Sequence, residues 1–242
     1  MDIIDYDLFG DSKFWWFEGK SDFIVSLVKK LNAARESKIM DIGCGSGDLL
    51  RPLKETGICY GLDINLDVLK IAQKESGNLM LADTGRISAK SGVFDIVIVT
   101  DVLEHVENDA AALSEIARVT KNHGYILLGV PAFSFMFSSH DIALKHYRRY
   151  DYEKLKGLVQ KCGLTIRYKT YWNSALFLPL MAVRLLKKLF GIKPALKKRK
   201  FPDFLNSVLK KTILFENRLI EKGVQLPFGT SLYLILEKNE KN

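Results

Sequence analysis

Short apolar runs alternate with amphipathic segments along the first half of the chain. Each run is rich in aliphatic residues and ends at a turn residue, which predicts strands at 38–42, 58–62, 78–82, 94–99 and 125–130. The spacing of apolar residues between them predicts helices at 48–54, 66–74 and 109–119. This alternation predicts an α/β fold with a doubly wound, mostly parallel sheet covered on both faces.

The two ends of the chain follow a different pattern. The first 19 residues are predicted to be irregular and aromatic, followed by a helix over 21–34 with Ser21 as its N-cap. After a loop at 132–150, a helix is predicted at 153–161 and strands at 163–171 and 231–237. Two helical segments, 174–190 and 203–222, separate these last strands, which predicts an antiparallel edge hairpin with a helical insertion. We expect one domain, 1–242, with an N-terminal cap at 1–35 and the insertion at 174–226.

Composition narrows the class of protein. The chain has 242 residues, a mass of 27.5 kDa and a net charge of +8. Residues 181–222 hold twelve basic and three acidic residues, so the positive charge is a regional patch. Three cysteines without paired spacing predict neither a disulfide framework nor a zinc site, and no metal is expected. An acidic N-terminus and the lack of a 20-residue apolar run predict a cytoplasmic protein.

A glycine-rich turn follows the first predicted strand. The segment Asp41-x-Gly43-x-Gly45-x-Gly47 joins that strand to a helix, where glycines allow a ligand close to the backbone and free N–H groups face it. Asp63 and Asp83 end the next two strands, and a carboxylate at such a point can accept both hydroxyls of a ribose. An ordinary strand-to-helix turn is the alternative. A nicotinamide site is less favoured because it requires G-x-G-x-x-G spacing.

Two further segments complete a resemblance. With Phe94-Asp95-Ile96-Val97 and Val102-Leu103-Glu104-His105-Val106, these motifs resemble the class I S-adenosylmethionine-dependent methyltransferases over residues 36–172 and the last strand. The resemblance implies a Rossmann-like, seven-stranded sheet with an antiparallel last strand, and an enzyme that uses S-adenosylmethionine. The glycine loop would lie under the methionine part, with Asp63 at the ribose and Asp83 at the adenine. The implied cofactor-binding residues are Asp41, Gly43, Cys44, Gly45, Gly47, Asp63, Ile64, Asp83, Thr84, Thr100 and Asp101.

The loop after the fifth strand supplies candidates for the acceptor side. His140 could deprotonate a hydroxyl acceptor, and His105 is a second candidate base. Arg148 and Arg149 could hold a phosphate or carboxylate. A structural reading is equally open: the histidines would bond the backbone, an arginine would pair with Asp151, and the tyrosines at 147 and 150 would pack. In the same reading, Glu104 caps the helix that begins near Asn108.

Three segments suggest a narrower resemblance. A tryptophan pair near the N-terminus, the S-H-D…H-Y-R-R-Y stretch and the late P-F-G-T-S-L strand are similar to small-molecule methyltransferases of cell-envelope glycan clusters. They are similar, more distantly, to ubiquinone-pathway O-methyltransferases. The resemblance implies methyl transfer, most simply to oxygen, on a small or lipid- or glycan-linked acceptor. Trp15, Trp16 and Lys20 would cover the cofactor, unless the tryptophans only pack on the first helix. The implied substrate-binding residues are Trp16, His146, Arg148, Arg149 and Tyr150.

The basic insertion allows three interpretations. Its helices could form a lid whose apolar faces pack on the domain and whose lysines are solvated. They could instead contact a membrane surface through residues 174–222, with basic residues on anionic lipid. Nucleic-acid binding is the least favoured, because the block at 197–200 has no interleaved aromatic residues. The functional alternatives are an RNA or protein methyltransferase that holds its substrate with the insertion, and a non-catalytic cofactor-binding protein at a membrane surface.

Overall fold

A seven-stranded sheet forms the centre of the protein. The computed structural model describes residues 14–31, 34–190 and 202–240. The strands lie in the order β3-β2-β1-β4-β5-β7-β6. Their bounds are β1 Lys38–Ile42, β2 Ile58–Asp63, β3 Leu79–Leu81, β4 Phe94–Thr100, β5 Thr120–Pro131, β6 Leu164–Trp172 and β7 Ser231–Lys238.

Helices cover both faces of this sheet. They are α1 Trp15–Lys30, α2 Leu50–Leu53, α3 Leu66–Ala72, α4 Asp109–Val119, α5 Ser139–Ala143, α6 Tyr152–Lys161, α7 Phe177–Leu189 and α8 Asp203–Glu221. Two short 3-10 turns lie at Leu103–His105 and Ser134–Met136. Within the described ranges, no helix combines the length and hydropathy needed to cross a bilayer.

The predicted sheet topology is confirmed. Strands β1 to β5 pair in parallel, whereas β7 runs antiparallel to both β5 and β6. Residues of β1 and β4 alternate between the two faces, so Met40 and Val97 enter one core and Ile39 and Ile96 the other. The carboxyl ends of the parallel strands therefore meet at one edge, which is where the glycine loop lies.

The first helix begins earlier than predicted. Phe14 is the N-cap of α1 and Trp15 its first residue, so Ser21 lies inside the helix and the prediction of an irregular segment is wrong for residues 15–19. The tertiary packing explains the difference, because Trp15 is buried with α8. Gly19 permits this packing, since a Cβ at residue 19 would overlap the side chain of Ile213. The remaining calls at 1–13, 32–33 and 197–200 lie outside the described residues.

Other boundaries differ by a few residues. The predicted helix at 48–54 is reduced to Leu50–Leu53, and β5 begins at Thr120, five residues before the predicted start. The predicted loop at 132–150 contains the short helix α5, whose N-cap Ser138 forms a capping box with Asp141. These local bonds hold the segment in a fixed shape beside the sheet edge.

The two helices of the insertion are held in different ways. α8 packs on α1, and its buried Asn217 accepts a hydrogen bond from Nε1 of Trp172 and donates one to the carbonyl of Gly19. The carboxylate of Glu216 accepts backbone N–H groups from residues 173–175, just after β6. α7, in contrast, turns mainly Phe177, Met181 and Arg184 towards the protein. The apolar face of α8 therefore packs on the domain in its second half, whereas α7 packs mainly through Phe177, Met181 and Arg184 and its other described side chains are exposed.

Candidate active site

The glycine loop forms one end of the crevice. Gly43, Gly45 and Gly47 have φ angles of 74°, 53° and 84°, which residues other than glycine rarely adopt. The N–H of Gly45 donates to Oδ2 of Asp63 at 2.9 Å. The loop is therefore tied to the end of the second strand.

The ends of β2 and β3 add the groups expected for an adenosine. Asp63 is buried, and its second oxygen accepts the N–H of Asn65 at 2.9 Å. The next residue, Ile64, is 71% exposed, so an apolar surface borders the carboxylate. Asp83 is exposed and accepts the N–H of Gly85 at 2.7 Å, while Thr84 is buried behind it. This set of groups fits a ribose and an adenine ring.

Two buried groups lie beneath the loop. Burial, with a smaller contribution from the nearby Asp63, raises the pKa of Asp41 to about 7 against the opposing charge of Lys20. Burial likewise raises the pKa of the Cys44 thiol, which therefore stays protonated at neutral pH. Neither group supplies a reactive nucleophile, and both are buried next to the glycine loop.

An ion pair closes the crevice next to β4. Nζ of Lys20 lies 2.5 Å from Oδ2 of Asp101, which follows the buried Thr100. Burial alone would raise the pKa of Asp101, but the Lys20 ammonium more than offsets this and lowers it. The same ammonium lies 5.1 Å from the ring centroid of Trp16. The structure thus brings Trp16 and Lys20 to Asp101, whereas Trp15 is buried in the core.

A polar cluster stands near this pair. Ligand atoms of Glu104, His105 and His146 lie within 4.8 Å of one another, so the three side chains could hold a divalent cation. Oε2 of Glu104 is buried without a hydrogen-bond partner, and burial together with the charge of Asp101 raises its pKa well above the usual range. Glu104 is therefore not a helix cap; the side chain of Asn108 caps α4 instead. The sequence analysis expected no metal and did not predict this cluster.

Asp141 holds the cluster to the surrounding loops. Its carboxylate is fully buried and lies 2.6 Å from Nε of Arg149, 3.2 Å from Nη1 of Arg184 and 3.4 Å from Nδ1 of His146. Burial raises the pKa of this carboxyl, but the three basic groups together lower it below its usual range. The rings of His146 and His105 meet edge to face, with centroids 4.5 Å apart. An ionised carboxylate thus faces one nitrogen of His146.

Three residues predicted to bind substrate are engaged within the fold. Arg148 pairs with Asp109 at 2.8 Å, and Arg149 pairs with Asp141. The prediction that one of the two arginines pairs with Asp151 is therefore wrong. Asp151 instead accepts hydrogen bonds from Ser134. The hydroxyl of Tyr150 donates to the carbonyl of Leu103 and to Asp109. Of the predicted acceptor-side residues in this loop, His146 is the one that the structure brings to the cluster.

We expect the imidazole of His140 to stay neutral down to about pH 5. Desolvation and the charge of Arg184 lower the pKa of His140 from 6.5 to about 4, which makes it a weak base for a hydroxyl acceptor. Proton NMR of its ring would show no titration between pH 8 and 5, with His140→Asn as the assignment control. Because an unfolded histidine binds its proton near pH 6.5, the folded protein should lose stability between about pH 6.5 and 4, and His140→Asn should lose less. A midpoint near 6.5 would contradict the lowered pKa.

Comparisons with known proteins agree with this geometry. A family model described as a methyltransferase domain matches residues 40–128, which run from β1 into β5. The fold is shared with a SAM-dependent methyltransferase from Archaeoglobus fulgidus, with a TM-score of 0.55 and 18% identity over 90% of this chain and 94% of that one. Residues 40–128 therefore match a methyltransferase domain, and the predicted resemblance to the class I S-adenosylmethionine-dependent methyltransferases is confirmed.

Sequence relatives match just under half of the chain. An uncharacterised protein of Methanocaldococcus jannaschii is 35% identical over 104 residues, which are 43% of this chain and 45% of that protein. A ubiquinone biosynthesis O-methyltransferase of Pseudomonas aeruginosa is 33% identical over 132 residues, 47% of this chain and 56% of the relative. The chain therefore spans about half the length of these relatives.

Proposed function

We propose that the protein transfers a methyl group from S-adenosylmethionine to a hydroxyl oxygen of a small or lipid-linked acceptor. One juxtaposition supports this proposal. The Lys20–Asp101 pair, at the end of β4, is close enough to Glu104 and His146 for their charges to affect each other. A site suited to the cofactor and a site suited to proton transfer are therefore adjacent. The O-methyltransferase named among the relatives supports oxygen as the accepting atom.

The cofactor would occupy the loop and the strand ends. Asp63 can accept the ribose hydroxyls, Ile64 can pack on the adenine, and Asp83 can accept its amino group. The three glycines let the backbone approach the methionine part. When bound, the cofactor supplies an electrophilic methyl group on a sulfonium, so the chain's own residues mainly orient the acceptor and manage one proton.

His146 is our candidate for the general base. Nδ1 of His146 makes no hydrogen bond in this structure, but Oδ1 of Asp141 lies 3.4 Å from it, and this negative charge favours a proton on Nδ1 and leaves Nε2 to accept one. The proton would move from the acceptor hydroxyl to Nε2, and the acceptor oxygen would take the methyl group in its place. The negative charge of Asp141 stabilises the imidazolium that forms. His105 lies against the same ring and limits its rotation.

Calorimetry and methyl transfer test this function together. We expect the purified full-length chain to bind S-adenosylmethionine and to label a hydroxyl acceptor, such as a catechol or a polyprenyl-linked sugar, with a radioactive methyl group. Label on RNA or protein, falling steeply with added salt, would favour the macromolecular alternative. Cofactor binding without transfer to any acceptor would favour a non-catalytic protein. A chain that does not bind S-adenosylmethionine would contradict the whole proposal.

A further inference from the structure

The described side chains of α7 leave a broad apolar surface uncovered. Leu178, Val183, Leu186 and Phe190, at the end of the helix, are 59%, 47%, 52% and 74% exposed. At 100° per residue these positions lie on one half of the helix, opposite the stripe that contacts the protein. An exposed apolar face of this size marks a contact surface rather than an ordinary solvated helix.

The start of α8 is exposed in the same way. Phe204 is 80% exposed, and Leu205 and Val208 are 39% and 41% exposed. Only from Ile213 onwards does one face of the helix become buried. α7 ends shortly before residue 191, and α8 begins shortly after residue 201. The chain between them is therefore bordered on both sides by helical turns with uncovered apolar residues.

Charge identifies the kind of surface that fits. The eleven residues between Gly191 and Phe201 contain five basic residues and no acidic one, and Lys187 and Lys188 add two more at the end of α7. Across 181–222 the net charge is +9. Two copies of this chain joined through the region would bring +9 against +9, which disfavours self-association. Apolar side chains combined with dense positive charge match the interface of a bilayer that carries anionic headgroups.

The same helix reaches the acceptor side of the candidate site. Nη1 of Arg184 donates to the carbonyl of Met136 and lies 3.2 Å from Asp141, the carboxylate that faces His146. Leu185 and the 59% exposed Phe135 line a shallow groove beside it. The apolar surface of α7 therefore continues into the loop at 132–150, which carries His146.

We propose that the uncovered apolar faces of α7 and of the start of α8 dock the protein on an anionic lipid bilayer. The mouth of the active site would then face the membrane, and the acceptor would be a lipid-linked molecule whose apolar chain stays in the bilayer. The acceptor class rests on the proposed methyltransferase function. The docking itself rests only on the exposed apolar residues and the charge.

Vesicle sedimentation tests the docking without cofactor or acceptor. We expect the full-length chain to bind vesicles of equal parts phosphatidylglycerol and phosphatidylcholine about 10-fold more tightly than vesicles of phosphatidylcholine alone, and less tightly at high salt. The double variant Leu178→Glu/Leu186→Glu should reduce this binding about 10-fold or more, because two exposed leucines that would enter the bilayer are replaced by carboxylates. The matched control is Ile58→Glu/Ile71→Glu, which changes exposed apolar residues on β2 and α3 and should bind as the wild type does.

Several outcomes would overturn the docking. Equal binding to neutral and anionic vesicles, or unchanged binding of the α7 variant, would contradict it. A dimer in light scattering that the α7 variant disrupts would assign the surface to a second copy, and salt-sensitive retention on RNA without vesicle binding would assign it to nucleic acid. Turnover of a soluble acceptor should be the same in wild type and α7 variant. A wild-type protein that methylates a soluble acceptor but does not bind anionic vesicles would therefore refute this inference and leave the proposed function standing.

Discussion

Replacing His146 by asparagine should lower kcat about 100- to 1,000-fold, the usual contribution of a positioned general base. The affinity for S-adenosylmethionine should stay near that of the wild type, because His146 lies on the acceptor side of the Lys20–Asp101 pair. Steady-state kinetics and calorimetry on the same preparation would measure both quantities. If the wild type shows a fall in kcat towards acid pH, that limb of the profile should disappear in the variant.

Two controls separate catalysis from packing. His123 is largely exposed in the turn within β5, and His123→Asn should leave kcat unchanged. Asp141→Asn should lower kcat less than the His146 change does, since its carboxylate acts through the imidazole, and thermal unfolding would reveal any structural damage. A full loss of activity in His140→Asn with His146→Asn active would move the base to His140. Activity removed by EDTA and restored by magnesium would instead support a cation bound at Glu104, His105 and His146.

Replacing Asp63 by alanine should weaken the binding of S-adenosylmethionine about 100-fold. Two hydrogen bonds from ribose hydroxyls to a carboxylate contribute about 1.5 kcal/mol each, and the sum corresponds to that ratio of dissociation constants. The carboxylate also holds the N–H of Gly45, so the loop would lose part of its support as well. Calorimetry measures the change in affinity, and circular dichroism verifies that the variant is folded.

Asp67→Ala is the matched control for this experiment. Asp67 lies four residues further along, in α3, where it is exposed and pairs with Lys70. Its removal should leave the affinity for the cofactor unchanged. A folded Asp63→Ala protein that binds the cofactor as tightly as the wild type would remove the basis for placing the adenosine at the ends of β2 and β3.

Local features of the chain were sufficient to predict most of the sheet and the positions that meet at its carboxyl edge. The glycine loop, Asp63 and Asp83 each follow a strand that its apolar run makes recognisable, and parallel strands place such positions at one edge. The acceptor side was predicted less well. His140 and the two arginines have suitable chemistry in the sequence, yet the sequence could not show that Arg148 and Arg149 would find partners at Asp109 and Asp141.

By itself, the sequence determined the order of strands and helices along the chain, the glycine-rich turn after β1 and the positive charge of the insertion, because each depends on residues close together in the chain. Only the tertiary structure decided which side chains meet. Asp141 contacts His146, Arg149 and the distant Arg184. Lys20 pairs with Asp101, which lies 81 positions further along the chain. Such pairings, and the uncovered face of α7, depend on how separate elements pack, and spacing along one element carries no information about that.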